Sequence, residues 1–251
     1  MADPSPPAWF SLRNGHAHPS HPQFSVIEWT FPADAGDPAV FDGESVVTGE
    51  TGEDRWTVRV FRKNIDTWAF RFNPPHPGRY RWSRRSGAGH EEADFTVEPA
   101  DPNEPNRYLR HGPVALSGRG GFQQGDGTPF CFLADSWWHA MGTRAAWPDE
   151  FESLCRDRRD KGFSAIQFAV SWACDVHPFD PRDRNEAGFS WTAHYGELRP
   201  EYFEYTDRRI LSLLSHGLLP CLMGSWGYHL QFLGEEKMKR HYLYLIARYG
   251  A

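Results

Sequence analysis

Three short segments hold the side chains with the most chemistry to offer, and they share a pattern. Each ends an apolar run with tryptophan beside acids, hydroxyls or imidazoles. They are Asp135-Ser136-Trp137-Trp138-His139, Trp172-Ala173-Cys174-Asp175-Val176-His177 and Ser225-Trp226-Gly227-Tyr228-His229. An indole offers a flat apolar face and one N–H donor at its edge. Such a face suits the C–H side of a sugar ring, while Asp and His exchange hydrogen bonds with its hydroxyls. The pattern points to a carbohydrate-like ligand held by Asp135, Trp137, Trp138, Trp172, His177, Trp226 and His229. Each residue also has a structural alternative. Asp135 could cap the segment after its strand. One of Trp137 and Trp138 could pack beneath the mouth, Trp172 could be core, and His177 could be a loop residue without a role.

The elements that must position these groups read as alternating strands and helices. GTPFCFLADSWWHAM (127–141) begins with a turn and continues as a buried apolar strand ending at Ala134-Asp135. WPDEFESLCRDRRDKGF (147–163) is an amphipathic helix with Phe151, Leu154 and Cys155 on one face, Pro148 and Asp149 in its first turn and Gly162 as its stop. SAIQFAVSW (164–172) is the next strand, and a long loop (173–198) leads to a helix over 200–217. LLPCLMGSW (218–226) is a third buried strand and 234–250 a third helix. Near-continuously apolar strands alternating with helices are the signature of a parallel sheet. In such folds the C-terminal strand ends form the functional rim.

The first half has a different period. Residues 24–31, 56–61, 67–72, 79–84 and 93–98 are short runs of β-branched and aromatic residues, several alternating with charge. They predict an antiparallel β-sandwich over 22–98, after an N-terminal arm (1–21). In Arg79-Tyr80-Arg81-Trp82 the arginines fall on one strand face and the rings on the other, so the cluster Arg79, Arg81, Arg84 and Arg85 reads as a solvated face. The Pro- and Asn-rich stretch 99–112 reads as a linker to a second domain over 113–251. Gly118-Arg119-Gly120-Gly121 reads as a hairpin turn or an extended entry.

Composition sets the outer bounds. The chain has 251 residues, and its 18 Phe, 11 Trp and 9 Tyr make up 15%, too aromatic for a disordered chain. With 27 Lys and Arg against 33 Asp and Glu it lacks the basic surplus of a general nucleic-acid binder. No stretch has the length and apolarity of a membrane span. The start MADPSPPAWFSLRNG is unlike a secretory signal, so a cytoplasmic location is expected. Cys131, Cys155, Cys174 and Cys221 lie far apart in apolar runs, as buried reduced thiols rather than a zinc cluster or disulfide scaffold. His16, His18 and His21 are dense enough to suggest a metal, but nothing fixes their geometry, and the segment reads as a mobile arm. There is no GxSxG, no P-loop, no HExxH and no GxGxxG after a strand, and no cofactor or metal is expected.

The runs DGTPFCFLADSWW (126–138), DKGFSAIQFAVSW (160–172) and PEYFEYTDRRILSLLSHGLLPCLMGSWG (200–227) resemble the apiosidase-like glycoside hydrolases. FRKNIDTWAFRFNPPHPGRYRWS (61–83) resembles the small β-sandwich that precedes the barrel in many members. The resemblance implies a β plus α/β chain: an antiparallel sandwich, then the first three βα units of a (β/α)8 TIM barrel, in a retaining-type carbohydrate hydrolase. It places Asp135 at a substrate-contact position and Trp226 at the tryptophan after the third strand, although this chain reads ADSWW where relatives commonly have GDTAW. Such hydrolases need a pair of carboxylates, which in relatives follow later strands, and residues 113–251 fall short of the roughly 200 a barrel requires. The expectation is therefore a C-terminally truncated, N-terminal portion of a glycoside hydrolase acting on plant or microbial polysaccharide side chains, inactive alone. The alternatives are a non-catalytic carbohydrate-binding or adhesion protein, and a divergent enzyme pairing Asp135 with Asp175.

Overall fold

A computed structural model describes residues 11–12, 20–33, 44–86, 89–173 and 176–251. The chain forms two compact units, Met1–Phe130 with Ile246–Ala251, and Cys131–Leu245. His16, His18, Cys174 and Asp175 lie outside the described residues.

The first unit contains strands β1 (Ser11–Leu12), β2 (Ser20–Pro22), β3 (Ile27–Pro32), β4 (Glu44–Gly49), β5 (Arg55–Arg59), β6 (Phe61–Asn64), β7 (Thr67–Phe72), β8 (Gly78–Ser86) and β9 (Gly89–Glu98). They form a four-stranded sheet, β1-β3-β7-β6, and a five-stranded sheet, β2-β9-β8-β4-β5. Period-two alternation sends one set of side chains from each sheet into a shared core. Trp29, Phe31, Phe70 and Phe72 come from the first sheet, and Val47, Tyr80, Trp82, Phe95 and Val97 from the second. Trp29 is central, stacked on Phe70 at 4.8 Å and tilted against Phe95 at 5.1 Å between ring centroids.

Two features depart from the expected antiparallel sandwich. The pairings β1–β3 and β2–β9 are parallel. The chain lays β1 in one sheet, β2 in the other and β3 back in the first, and a strand that returns across sheets cannot pair through a hairpin. Arg84 also leaves the solvated arginine face. It shares the parity of Tyr80 and Trp82, so its guanidinium lies 3.9 Å from the Phe31 ring centroid and 3.2 Å from Glu91 Oε1. Buried His21 meets Trp29 and Phe95 edge-on instead of belonging to a mobile arm. Among the described residues no group of three or more His, Cys, Asp or Glu is placed to hold a metal ion.

The segment expected to be a bare linker contains α1 (Arg107–His111), capped by the Asn106 side chain, which accepts from the Tyr108 N–H. A small antiparallel sheet follows: β10 (Val114–Leu116), β11 (Phe122–Gln124) and β12 (Pro129–Phe130). The turn through Gly118–Gly121 joins β10 to β11, closed by the Ser117 N–H to Gly121 carbonyl bond.

The second unit runs β13 (Ala134–Ser136), α2 (Asp149–Asp160), β14 (Ala165–Ala169), α3 (Pro200–Ser215), β15 (Leu219–Met223), the short α4 (Leu230–Leu233) and α5 (Glu235–Tyr249), whose last turn groups with the first unit. The three strands are parallel in the order β13-β14-β15. Only central β14 is a buried apolar strand throughout most of its length. The expected buried first strand is instead split. Pro129–Phe130 belongs to the preceding hairpin, Phe132 and Leu133 are exposed, and β13 is an edge strand with one neighbour. β15 is the other edge and is half-buried for the same reason. Leu154 also leaves the predicted helix face: Phe151 and Cys155, four residues apart, bury the core stripe of α2 and Leu154 is exposed on its flank. Gly162 and Gly217 follow α2 and α3 with φ of 81° and 72°, the left-handed conformation that ends helices. No described helix is long and apolar enough to cross a membrane.

Candidate functional site

The rim is built from the segments that leave the C-terminal ends of the parallel strands. The ladder continues past β13 through the Trp137 N–H to Gln167 carbonyl bond (2.7 Å), and past β14 through Val170 N–H to the Met223 carbonyl (2.9 Å). These bonds fix the backbone up to the tryptophans. Trp138 follows β13 and Trp226 follows β15, and the two half-buried indoles meet edge to face at 5.2 Å with an interplanar angle of 79°. The pair therefore spans the end of β14, with Trp138 also packed against Ala169, Ala173 and Val176. Gly224 permits the approach of the Trp226 segment to α5, because a Cβ there would fall 2.7 Å from the Tyr242 ring. Beyond Trp226, exposed Tyr228 sets its ring edge-on to Phe232 at 5.3 Å.

The other predicted residues occupy different layers. Trp172 and His229 are interior: their rings stack at 5.6 Å, and His229 Nε2 lies 3.1 Å from the Ala173 carbonyl. Burial lowers the His229 pKa, so this ring is neutral near pH 7. Trp137 turns toward α2 and meets Phe151 edge to face at 5.9 Å. Asp135 turns the same way, accepting from Arg158 Nε at 2.6 Å and from Trp137 Nε1 at 2.9 Å. Burial alone would raise its pKa. The hydrogen bonds from Arg158, Trp137 and the Ser136 N–H outweigh that effect and hold the carboxyl below its ordinary value. His177 is exposed on the loop after β14. The structure thus brings the half-buried Trp138 and Trp226 together, stacks Trp172 on His229 in the interior, and commits Asp135 to a helix arginine.

Sequence reasoning passed over a pair that bridges the rim. His139 Nδ1 lies 2.9 Å from Asp183 Oδ1, and Asp183 Oδ2 accepts the Ala173 N–H at 3.1 Å. Burial, opposed by His139 and the Ala173 N–H, leaves the Asp183 pKa raised. The signal available was a histidine directly after Trp137-Trp138 and a Pro-Arg-Asp turn inside the long loop. That loop is held down by α3: Arg209, fully buried, grips Glu186 with two bonds of 3.0 and 2.8 Å, and Asn185 Nδ2 donates to the Tyr202 carbonyl. The arrangement offers two half-buried indoles, crossed edge to face, at the ends of the parallel strands. It suits an apolar ring face carrying polar groups at its edges.

Comparison with known proteins agrees with this architecture. A structure from Bacteroides vulgatus assigned as a glycoside hydrolase superposes with a TM-score of 0.66 at 21% identity, over 92% of this chain and 47% of that one. The present chain thus spans about half the length of that relative. A family 5 glycoside hydrolase from Bacteroides vulgatus gives a TM-score of 0.45 at 22% identity, over 56% of this chain and 30% of that one. No curated protein matches the chain. The family model of the apiosidase-like catalytic domain fits residues 117–251, a stretch that takes in all three parallel strands and the crossed tryptophans. The chain belongs to the apiosidase-like family of glycoside hydrolases.

Proposed function

We propose that this chain is the N-terminal portion of a glycoside hydrolase acting on polysaccharide side chains, of plant or microbial origin. In this reading the first unit is a β-sandwich and the second supplies the first three βα units of a (β/α)8 barrel. The sugar lies across Trp138 and Trp226, with the Tyr228–Phe232 pair extending the platform. The observation that carries the reading is the edge-to-face contact of Trp138 and Trp226 over the strand ends, where ligands of parallel α/β folds bind.

In this reading the chain by itself holds a sugar without hydrolysing it. A glycosidase needs one protonated and one ionised carboxyl flanking the bond. Asp135 is kept ionised by Arg158, and Asp183 is buried against His139 and the Ala173 N–H. Neither is available as an acid to a bound sugar. Affinity electrophoresis of the chain through a panel of polysaccharides, alongside aryl-glycoside assays, tests this. Retardation without turnover is expected, with Trp226→Ala weakening binding by roughly tenfold or more. Unchanged retardation in that variant, or turnover abolished by Asp135→Asn, would overturn the reading. The second outcome would favour the divergent enzyme instead.

A further inference from the structure

The outer face of the five-stranded sheet carries a cavity unrelated to the tryptophan rim. It is a half-open depression of about 650 Å³ between the β4–β5 turn and strands β8 and β9, lined by Thr48, Glu50, Arg79, Arg81, Asp94 and Thr96 among others. Strand register builds it. Thr48 pairs with Arg81 and Arg81 with Asp94, forming one row across three strands, while Arg79 pairs with Thr96 in the next row along the same face. Gly52 closes the turn with φ 75°, and its N–H donates to the Gly49 carbonyl.

The two arginines are in different states. Arg81 is satisfied by a bidentate bond to Asp94, at 2.6 Å from Nε and 3.0 Å from the terminal nitrogen. Arg79 is exposed, feels Asp94 only at a distance, and makes no hydrogen bond to any described residue. A guanidinium in this condition presents a planar fork matched to a carboxylate. Around it the threonine hydroxyls and the Glu50 carboxylate can exchange hydrogen bonds with ring hydroxyls. The nearby rings, Tyr80 and Phe95, are buried in the core and offer no stacking platform, so a neutral sugar would lack its usual anchor here.

We infer that this cavity is a second saccharide site, specific for acidic sugars, in which Arg79 binds the carboxylate of a uronate residue. The cavity volume lies within the range of small-ligand sites and exceeds what a simple inorganic anion fills. The site does not depend on the function of the rim. It gives the first unit a binding role toward carboxylated glycans.

Calorimetric titration of the full chain with a uronate tetrasaccharide, its fully methyl-esterified counterpart and sodium sulfate tests the assignment. The acid should bind, the ester should bind at least about tenfold more weakly, and Arg79→Gln should weaken the acid by a similar factor. Trp226→Ala should leave acid binding unchanged. A thermal midpoint of Arg79→Gln near that of the parent would show that substitution at this exposed position has not altered folding. Equal binding of acid and ester, no binding of the acid, or an unaffected Arg79→Gln would overturn the proposal. So would sulfate binding as tightly as the acid, or loss of acid binding in Trp226→Ala, which would move the acidic ligand to the rim.

Discussion

Replacing Glu28 by alanine is expected to destabilise the first unit by about 3–5 kcal/mol, the cost of breaking a buried ion pair from one side. Glu28 has no exposed side-chain surface; its carboxylate accepts from Lys63 Nζ at 2.6 Å and from Arg71 Nε at 2.9 Å. Cross-strand register creates the second contact, because Glu28 in β3 stands opposite Arg71 in β7. The neighbours Ile27 and Trp29 point into the shared core, so period two sends Glu28 to the other face. There the Arg71 side chain is only 6% exposed, and without Glu28 its charge would be left desolvated with one counter-charge missing. Replacing Glu28 and Arg71 together with methionine should recover part of the loss, since the buried guanidinium leaves with its partner and Lys63, whose side chain is 19% exposed, can turn its ammonium to solvent. Urea unfolding of the three proteins measures both effects. A Glu28→Ala loss below about 1 kcal/mol would mean that the pair behaves as an exposed one.

Mild acid is expected to remove about 3 kcal/mol of stability from the second unit through His241. This ring is fully buried among Trp172, Trp191 and Phe203, with Nε2 2.7 Å from the Gly224 carbonyl and Nδ1 accepting from Trp191 Nε1 at 3.4 Å. These bonds fit the neutral tautomer protonated on Nε2. Burial pushes its pKa from 6.5 down to about 4, against the raising effect of the hydrogen bonds. Above pH 6.5 the ring is neutral in both the folded and unfolded states. As the pH falls from 6.5 toward 4 the unfolded chain takes up a proton that the native ring refuses, so stability declines. Below about 4 both states are protonated and this loss levels off. His229, also lowered by burial, adds loss of the same sign. Asp126 and Asp180, held down to about 2 by their hydrogen-bond donors against burial, act in a separate window below the ordinary carboxylate range. Denaturant unfolding between pH 7 and 4.5 should show the decline, and His241→Gln should flatten most of it. An unchanged slope in that variant would contradict the assignment.

The elements were legible where local pattern and tertiary placement agree. Strand β7 coincides with the expected run 67–72, and β8 and β9 extend the expected runs; in β8 and β9 the alternation of rings with charge encodes one buried and one solvated face, whereas β7 is covered on both faces with Arg71 buried. Strand β4, Glu44-Ser45-Val46-Val47-Thr48-Gly49, went unseen because it lacks an aromatic and gains its burial from pairing with β5 and β8 on both sides. Helix α1 was hidden by its length: five residues hold no periodicity, and only the Asn106 cap marks it. At the rim, the threefold recurrence of tryptophan after an apolar run marks the segments that leave the C-terminal ends of the three parallel strands. Its division into surface and interior could not be read, since it depends on partners distant in the chain. Arg158 lies 23 residues from Asp135, Asp183 lies 44 from His139, and Ala173 lies 56 from His229. Parity along a strand says which residues share a face, but not which face a helix arginine will claim.

The central claim, that sugar binds across Trp138 and Trp226, can be read from the indole N–H signals in a ¹⁵N–¹H spectrum of the chain. Trp138→Phe and Trp226→Phe assign the two resonances, which are then followed while an oligosaccharide retained in the polysaccharide panel is titrated in. The geometry predicts that both signals move and saturate with one dissociation constant, while Trp29 and Trp82, sealed in the core of the first unit, stay in place. Saturable binding that leaves the Trp138 and Trp226 signals unmoved would contradict it.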